Sequence, residues 1–191
     1  MLSRMKTHPY IKIIMVACLG ALASCATPAK TIKVPVSAPS SDSSLSGKVF
    51  AKVNAYRQQH GASVLQRHAG LDKLAQQHCE YLRKHRGSFS IYGTTVSHFG
   101  FEGRAAYARE AFQMESVSEN VAASGSYSKD QPASLVSLWA GSKGHNQNML
   151  NSWTYTGVGV VVDDDGTVFS TQLFSTVSNS QLTMHRRFTG F

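Results

Sequence analysis

Near the C-terminus two β-rich runs, Gly157 to Val162 and Thr167 to Thr176, flank three consecutive aspartates and a glycine at 163–166. β-Branched and aromatic residues suit a pleated surface, and an Asp-Gly step supplies the left-handed backbone of a tight reversal. The two runs predict an antiparallel hairpin. Earlier in the chain the pattern is helical. Leu45, Val49, Phe50, Val53 and Tyr56 recur at three- and four-residue steps, with Ser43 or Ser44 to cap them and Gly61 to stop them. A second helix is expected over 71–86, with Leu71, Leu74, Ala75, His78 and Leu82 on one face and Gly87 as its C-cap. His78 and Cys79 fall within that packing pattern. Helices are also expected over 101–112 and, with proline in its first turn, 132–139, while Glu115 to Ala122 alternates as a strand. Helices first and a hairpin last favour an α+β class over a doubly wound parallel sheet.

The first 24 residues read as an export signal. Arg4, Lys6 and Lys12 form a basic region without an acid, Ile13 to Ala23 is apolar, and Leu22, Ala23 and Ser24 precede Cys25. The apolar run is short of the roughly 20 residues that cross a bilayer. The ending resembles a lipobox, which implies cleavage before Cys25 and acylation of that residue. Two or three acyl chains, each methylene worth about 0.8 kcal/mol, anchor a protein stably. Ala26, rather than aspartate, after the cysteine resembles lipoproteins sent to an outer membrane in cells with two membranes. Residues 25–44, rich in proline and serine and without a period, read as a tether.

With Cys18 in the signal and Cys25 acylated, Cys79 stands alone, so no disulfide framework is available and the domain must be held by its core. Of 19 Lys and Arg, removing the three in the signal leaves 16 against 11 Asp and Glu, a balance near +5. Dispersed charge of that size gives no nucleic-acid footprint and suits loose attraction to anionic lipid or cell-wall polymers. There is no glycine-rich phosphate loop and no paired-cysteine metal motif.

Three residues carry candidate chemistry. In "ESVSENVAAS" Val117, Glu119 and Val121 share one side of the strand. Either those valines face the core and carry Glu119 in with them, or Ser118 and Asn120 face inward and Glu119 meets water. His98 lies in a loop, "TTVSHFG", and His145 lies in "SLWAGSKGHNQNMLN", in a turn before or inside a short helix expected over 146–150, with Asn148 nearly one turn on. Two histidines and a glutamate are the ligand set of several open zinc sites, although the HExxH spacing is absent.

"VNAYRQQHGASVLQRHAGLDKLAQQH", "SHFG", "SENVA", "LVSLWAGSKGHNQNML" and "GVGVVV…STQLF" occur in this order. Together they resemble the CAP superfamily, which includes cysteine-rich secretory proteins, venom antigens, plant pathogenesis-related proteins and bacterial secreted proteins. The resemblance implies a three-layer α-β-α sandwich over 45–178, followed by a tail over 179–191, with a central cleft. His98 matches the histidine of the family's "SH" motif, and Glu119 the glutamate of "GEN", with Ser118 where glycine often stands. His145 matches the histidine of a bacterial "W…S…GH…N" version, with Trp139, Ser142 and Asn148 as supports. Ser142 stands where eukaryotic members carry a second glutamate, and Phe169 where they carry a histidine.

The expected function is that of an exported, membrane-anchored lipoprotein with a cleft of His98, Glu119, His145, Asn148 and Ser142. That cleft would bind a lipid-like or peptide-like envelope ligand. Two alternatives are a zinc-dependent hydrolase, with Zn2+ held by His98, His145 and Glu119, and a structural envelope protein without catalysis. The anchoring is directly testable. Cys25→Ser should leave uncleaved precursor and move the protein out of the detergent phase; normal processing and partitioning of that variant would refute acylation at Cys25.

Overall fold

The computed structural model describes residues 36–37, 44–88, 97–125 and 127–177. The signal, Cys25 and the tail over 179–191 lie outside the described residues. Helix α1, Leu45–Gln59, starts where Ser44 Oγ accepts from the Gly47 N–H at 3.1 Å. Past its end Gly61 sits at φ +72°, a left-handed position that glycine takes without strain. Strand β2, Gln66–His68, leads directly into helix α2, Ala69–Lys84. Here the structure corrects the sequence reading: α2 begins two residues early and is capped by His68, whose Nδ1 accepts from Leu71 N–H at 3.3 Å. Burial pulls the His68 pKa down to about 4, so the capping nitrogen keeps its lone pair. At the other end His85 is the C-cap, and Gly87 lies in a single 3-10 turn.

Helix α3, Phe101–Phe112, and strand β3, Met114–Ser124, follow, then α4, Gln131–Ala140, with Asp130 accepting from Ala133 N–H. Helix α5, Lys143–Leu150, includes His145, and β4, Tyr155–Val162, and β5, Val168–Val177, form the expected hairpin. Gly166 closes its turn at φ +83°, and Arg86 clamps Asp163 and Asp165 at 2.6 Å each, joining the end of α2 to the turn.

Within the segment read as a tether, Val36–Ser37 forms a short strand, β1, paired antiparallel with Arg67 and His68. The sheet order is β1-β2-β4-β5-β3, so β3 is an edge. Helices α1, α4 and α5 cover one face, where Val49, Val53, Trp139, Met149, Val158 and Phe174 pack together. Helices α2 and α3 cover the other, over Leu71, Ala75, Ala108 and Leu173, and over Cys79, Leu82, Val121 and Phe169. This is the three-layer α-β-α sandwich. Among the described residues no helix is long and apolar enough to cross a membrane.

A buried guanidinium and two glycines set the layer spacing. Arg57, 1% exposed, donates to the carbonyls of Ser63, Met149 and Asn151, satisfying acceptors at the end of α5 from α1. On the other side α2 lies against the backbone of β4. A Cβ at Gly157 would fall 2.2 Å from Asp72 N, and one at Gly159 2.3 Å from Gln76 N. Strand β2 pairs with only Tyr155 and Thr156, and α2 supplies acceptors beyond them. Asp72 Oδ1 accepts from Val158 N–H at 2.8 Å, and Gln76 Oε1, one turn later, accepts from Val160 N–H at 3.1 Å. Gly159→Ala should therefore cost about 1 to 3 kcal/mol by forcing α2 off the sheet. Gly87→Ala, with open space around its Cβ, is the control. Equal denaturation midpoints for the two variants would rule out the close packing.

Candidate functional site

Glu119 sits near the middle of edge strand β3 with its side chain 2% exposed, on the face covered by α2 and α3. A carboxylate so placed is costly unless it is charged against a partner. Arg104, on the first turn of α3, meets it in a fork: Nε donates to Oε2 at 2.8 Å and Nη2 to Oε1 at 2.9 Å. His98 approaches from the loop before α3, its Nδ1 2.9 Å from Oε1. An ionised carboxylate only accepts, so Nδ1 carries the hydrogen, and in the neutral ring Nε2 is left with a lone pair. The His98 side chain is 49% exposed.

The loop is held from below. His78 on α2 is buried and lies 2.9 Å through Nε2 from the Ser97 carbonyl. Burial first, then the Arg104 charge, lowers its pKa, so the ring is neutral and Nε2–H donates. The His98 carbonyl in turn accepts from Phe101 N–H at 3.0 Å and satisfies one of the first amides of α3.

His145 arrives from the opposite layer on α5. Asn120, the buried neighbour of Glu119 on the other face of β3, donates to the His145 carbonyl at 3.0 Å and accepts from Asn148 Nδ2 at 2.9 Å. Asn148 Nδ2 also lies 3.3 Å from the Glu119 carbonyl, and the Asn148 carbonyl accepts from Trp153 Nε1 at 2.7 Å. These bonds stitch α5 to β3 and bring the His145 ring to 6.4 Å, centroid to centroid, from His98. Burial, reinforced by the His98 ring, lowers the His145 pKa and favours its neutral form.

His98, Glu119, His145 and Asn148 thus meet at β3, while Ser142 stands at the α5 N-cap position with no side-chain capping bond. Phe169 is fully buried against Cys79, Leu82 and Val121, a core residue. Cys79 itself is buried, with its thiol pushed up to about 12 by desolvation. Arg104 and Asn120 carry the site's geometry, and nothing in their spacing singles them out. The demand of a buried carboxylate for a cation was the only signal that pointed toward α3, which also holds Arg109.

Zinc does not fit this donor set as it stands. Glu119 Oε1 is shared by His98 and Arg104 and Oε2 is held by Arg104, so the carboxylate would have to be unpaired to act as a ligand, while His98 keeps Nε2. Among the described residues no three of His, Cys, Asp and Glu are grouped to hold a metal ion.

A sandwich of this order, with a glutamate and histidines gathered at the edge strand, defines a CAP-type domain. The chain belongs to the cysteine-rich secretory protein family, whose model matches residues 50–174. Among solved structures it is similar to an outer surface protein from Borrelia burgdorferi, at 16% identity and a TM-score of 0.54, over 68% of this chain and 90% of that one. It is also similar to an extracellular protein containing an SCP domain from Bacillus anthracis, at 25% identity and a TM-score of 0.49. A cysteine-rich secretory protein from Staphylococcus aureus matches at 18% identity and a TM-score of 0.47. The chain covers 39% and 37% of these two, which in turn cover 68% and 66% of it. Comparison with curated proteins gives no match.

The Arg104–Glu119 fork should dominate the energetics. Arg104→Ala leaves a buried carboxylate with only His98 and should cost about 3 to 5 kcal/mol. With Glu119→Ala it should show a coupling of about 2 kcal/mol in a double-mutant cycle. Single-variant costs that add within about 0.5 kcal/mol would show that the fork is not coupled.

Proposed function

We propose that this protein is an exported lipoprotein, anchored to a membrane through Cys25, whose cleft binds an envelope ligand through His98 and His145. The carrying observation is the saturation of Glu119. A carboxylate clamped by a guanidinium and an imidazole orients its neighbours, and a hydrolase using it as base or zinc ligand would first have to unpair it. The imidazoles are the polar groups left to a ligand. With Nδ1 engaged by Glu119, His98 presents Nε2, and the neutral His145 ring carries one donor and one acceptor, which suits a ligand recognised by hydrogen bonds.

The test is titration of the protein with a soluble muropeptide and, separately, with zinc, followed by calorimetry. Muropeptide binding should weaken by about 1 kcal/mol in His98→Ala and in His145→Ala with little change in thermal midpoint. Stoichiometric zinc binding lost in those same variants would replace this reading with the zinc-dependent hydrolase. Muropeptide binding indifferent to both histidines would leave a structural envelope protein.

A further inference from the structure

Next to His98, Phe99 is 66% exposed, more than any other large apolar side chain among the described residues. A single exposed ring is ordinary on a protein surface. This one is fixed. Its N–H donates to Ser97 Oγ at 3.0 Å, and its carbonyl accepts from Arg104 Nη1 at 2.9 Å. Its ring stacks on Tyr81 at 5.1 Å and 12°, and Tyr81 is itself stacked with His85 at 4.2 Å and with His78 at 5.9 Å. Arg104 and His78, which hold Glu119 and the His98 loop, therefore also set the position of the Phe99 ring. An apolar ring held out in water by this many contacts is preorganised, so a ligand that stacks on it meets little ordering cost.

From this geometry we propose that Phe99 is the stacking platform of a saccharide subsite beside His98, and that the envelope ligand is a neutral sugar ring of a glycan strand. The inference rests on the cleft reading above. Charge argues against an anionic ligand. All three nitrogens of Arg104 have partners in Glu119 and Phe99, and burial favours the neutral form of His145. The chain neighbours of Phe99, Ser97, His98 and Gly100, are polar or lack a side chain and so add no apolar surface for an acyl chain. A sugar ring has one C–H-lined face to lay on an aromatic ring and a rim of hydroxyls for imidazole nitrogens, which is the combination offered here.

The probe is chitotetraose, titrated into the full chain in a zwitterionic detergent that carries no sugar, with a free stem pentapeptide as the comparison. The wild-type protein should bind the tetrasaccharide and not the peptide. Phe99→Ala should weaken binding about tenfold at an unchanged thermal midpoint, and Phe99→Trp should restore it to within about threefold. No tetrasaccharide binding at millimolar concentration, binding of the peptide alone, or equal affinity in Phe99→Ala would overturn the proposal. The two readings fail separately. If His98→Ala and His145→Ala lose the muropeptide while Phe99→Ala keeps it, the cleft stands and the platform falls. If Phe99→Ala loses chitotetraose while both histidine variants bind it normally, the platform stands and the cleft falls.

Discussion

The contact on which this molecule most depends is that of α2 with β4, where two glycines let a helix rest on strand backbone. Gly157 and Gly159 leave no side chain between Leu71–Asp72 or Ala75–Gln76 and the sheet. At that distance Asp72 and Gln76 reach the amides of Val158 and Val160 and stand in for the strand that β2 is too short to provide. The helix is thereby fixed in height and in register, because its acceptors are one turn apart and the amides two residues apart. His78 lies on this helix and inherits that precision.

From His78 the constraint passes to the site. The imidazole holds Ser97, Ser97 caps Phe99, and His98 between them reaches Glu119. Arg104 closes the loop by binding the carboxylate and the Phe99 carbonyl together. In a site so connected, one buried negative charge is held by one guanidinium, and burial favours the neutral form of His145. The chemistry offered to a ligand is therefore hydrogen bonding rather than charge. The opposite layer contributes independently, through Asn120 and Asn148, so His145 approaches His98 only because α5 is bonded across the edge strand β3.

Much of the fold was legible in the chain. The 3.6-residue period marked α1 closely, a composition rich in Ala, Arg and Glu marked α3, and the turn aspartates and glycine marked the hairpin. The failures have physical causes. The start of α2 was missed because its cap is an imidazole rather than a hydroxyl or carboxylate, and its end because the chain leaves the helix at His85 without needing the glycine at 87. Strand β2 is three residues long and has no period to read. The alternation on β3 could not decide between Glu119 and Asn120 because both are buried. Alternation separates wet from dry faces, and this strand has a helix layer on each side.

The sequence by itself determined the longer elements, the class and the residues worth suspecting. Helical period, turn chemistry and a lone Cys79 follow from local spacing and composition, and His98, Glu119 and His145 stood out through their match to the family's motifs. Tertiary structure alone decided what those groups do. Arg104 is fifteen residues from Glu119 and Asn120 twenty-five from His145, and no local rule selects either partner. Whether a carboxylate is a base, a ligand or a clamped anion depends on what fills its two oxygens, and that is set by packing distances between layers.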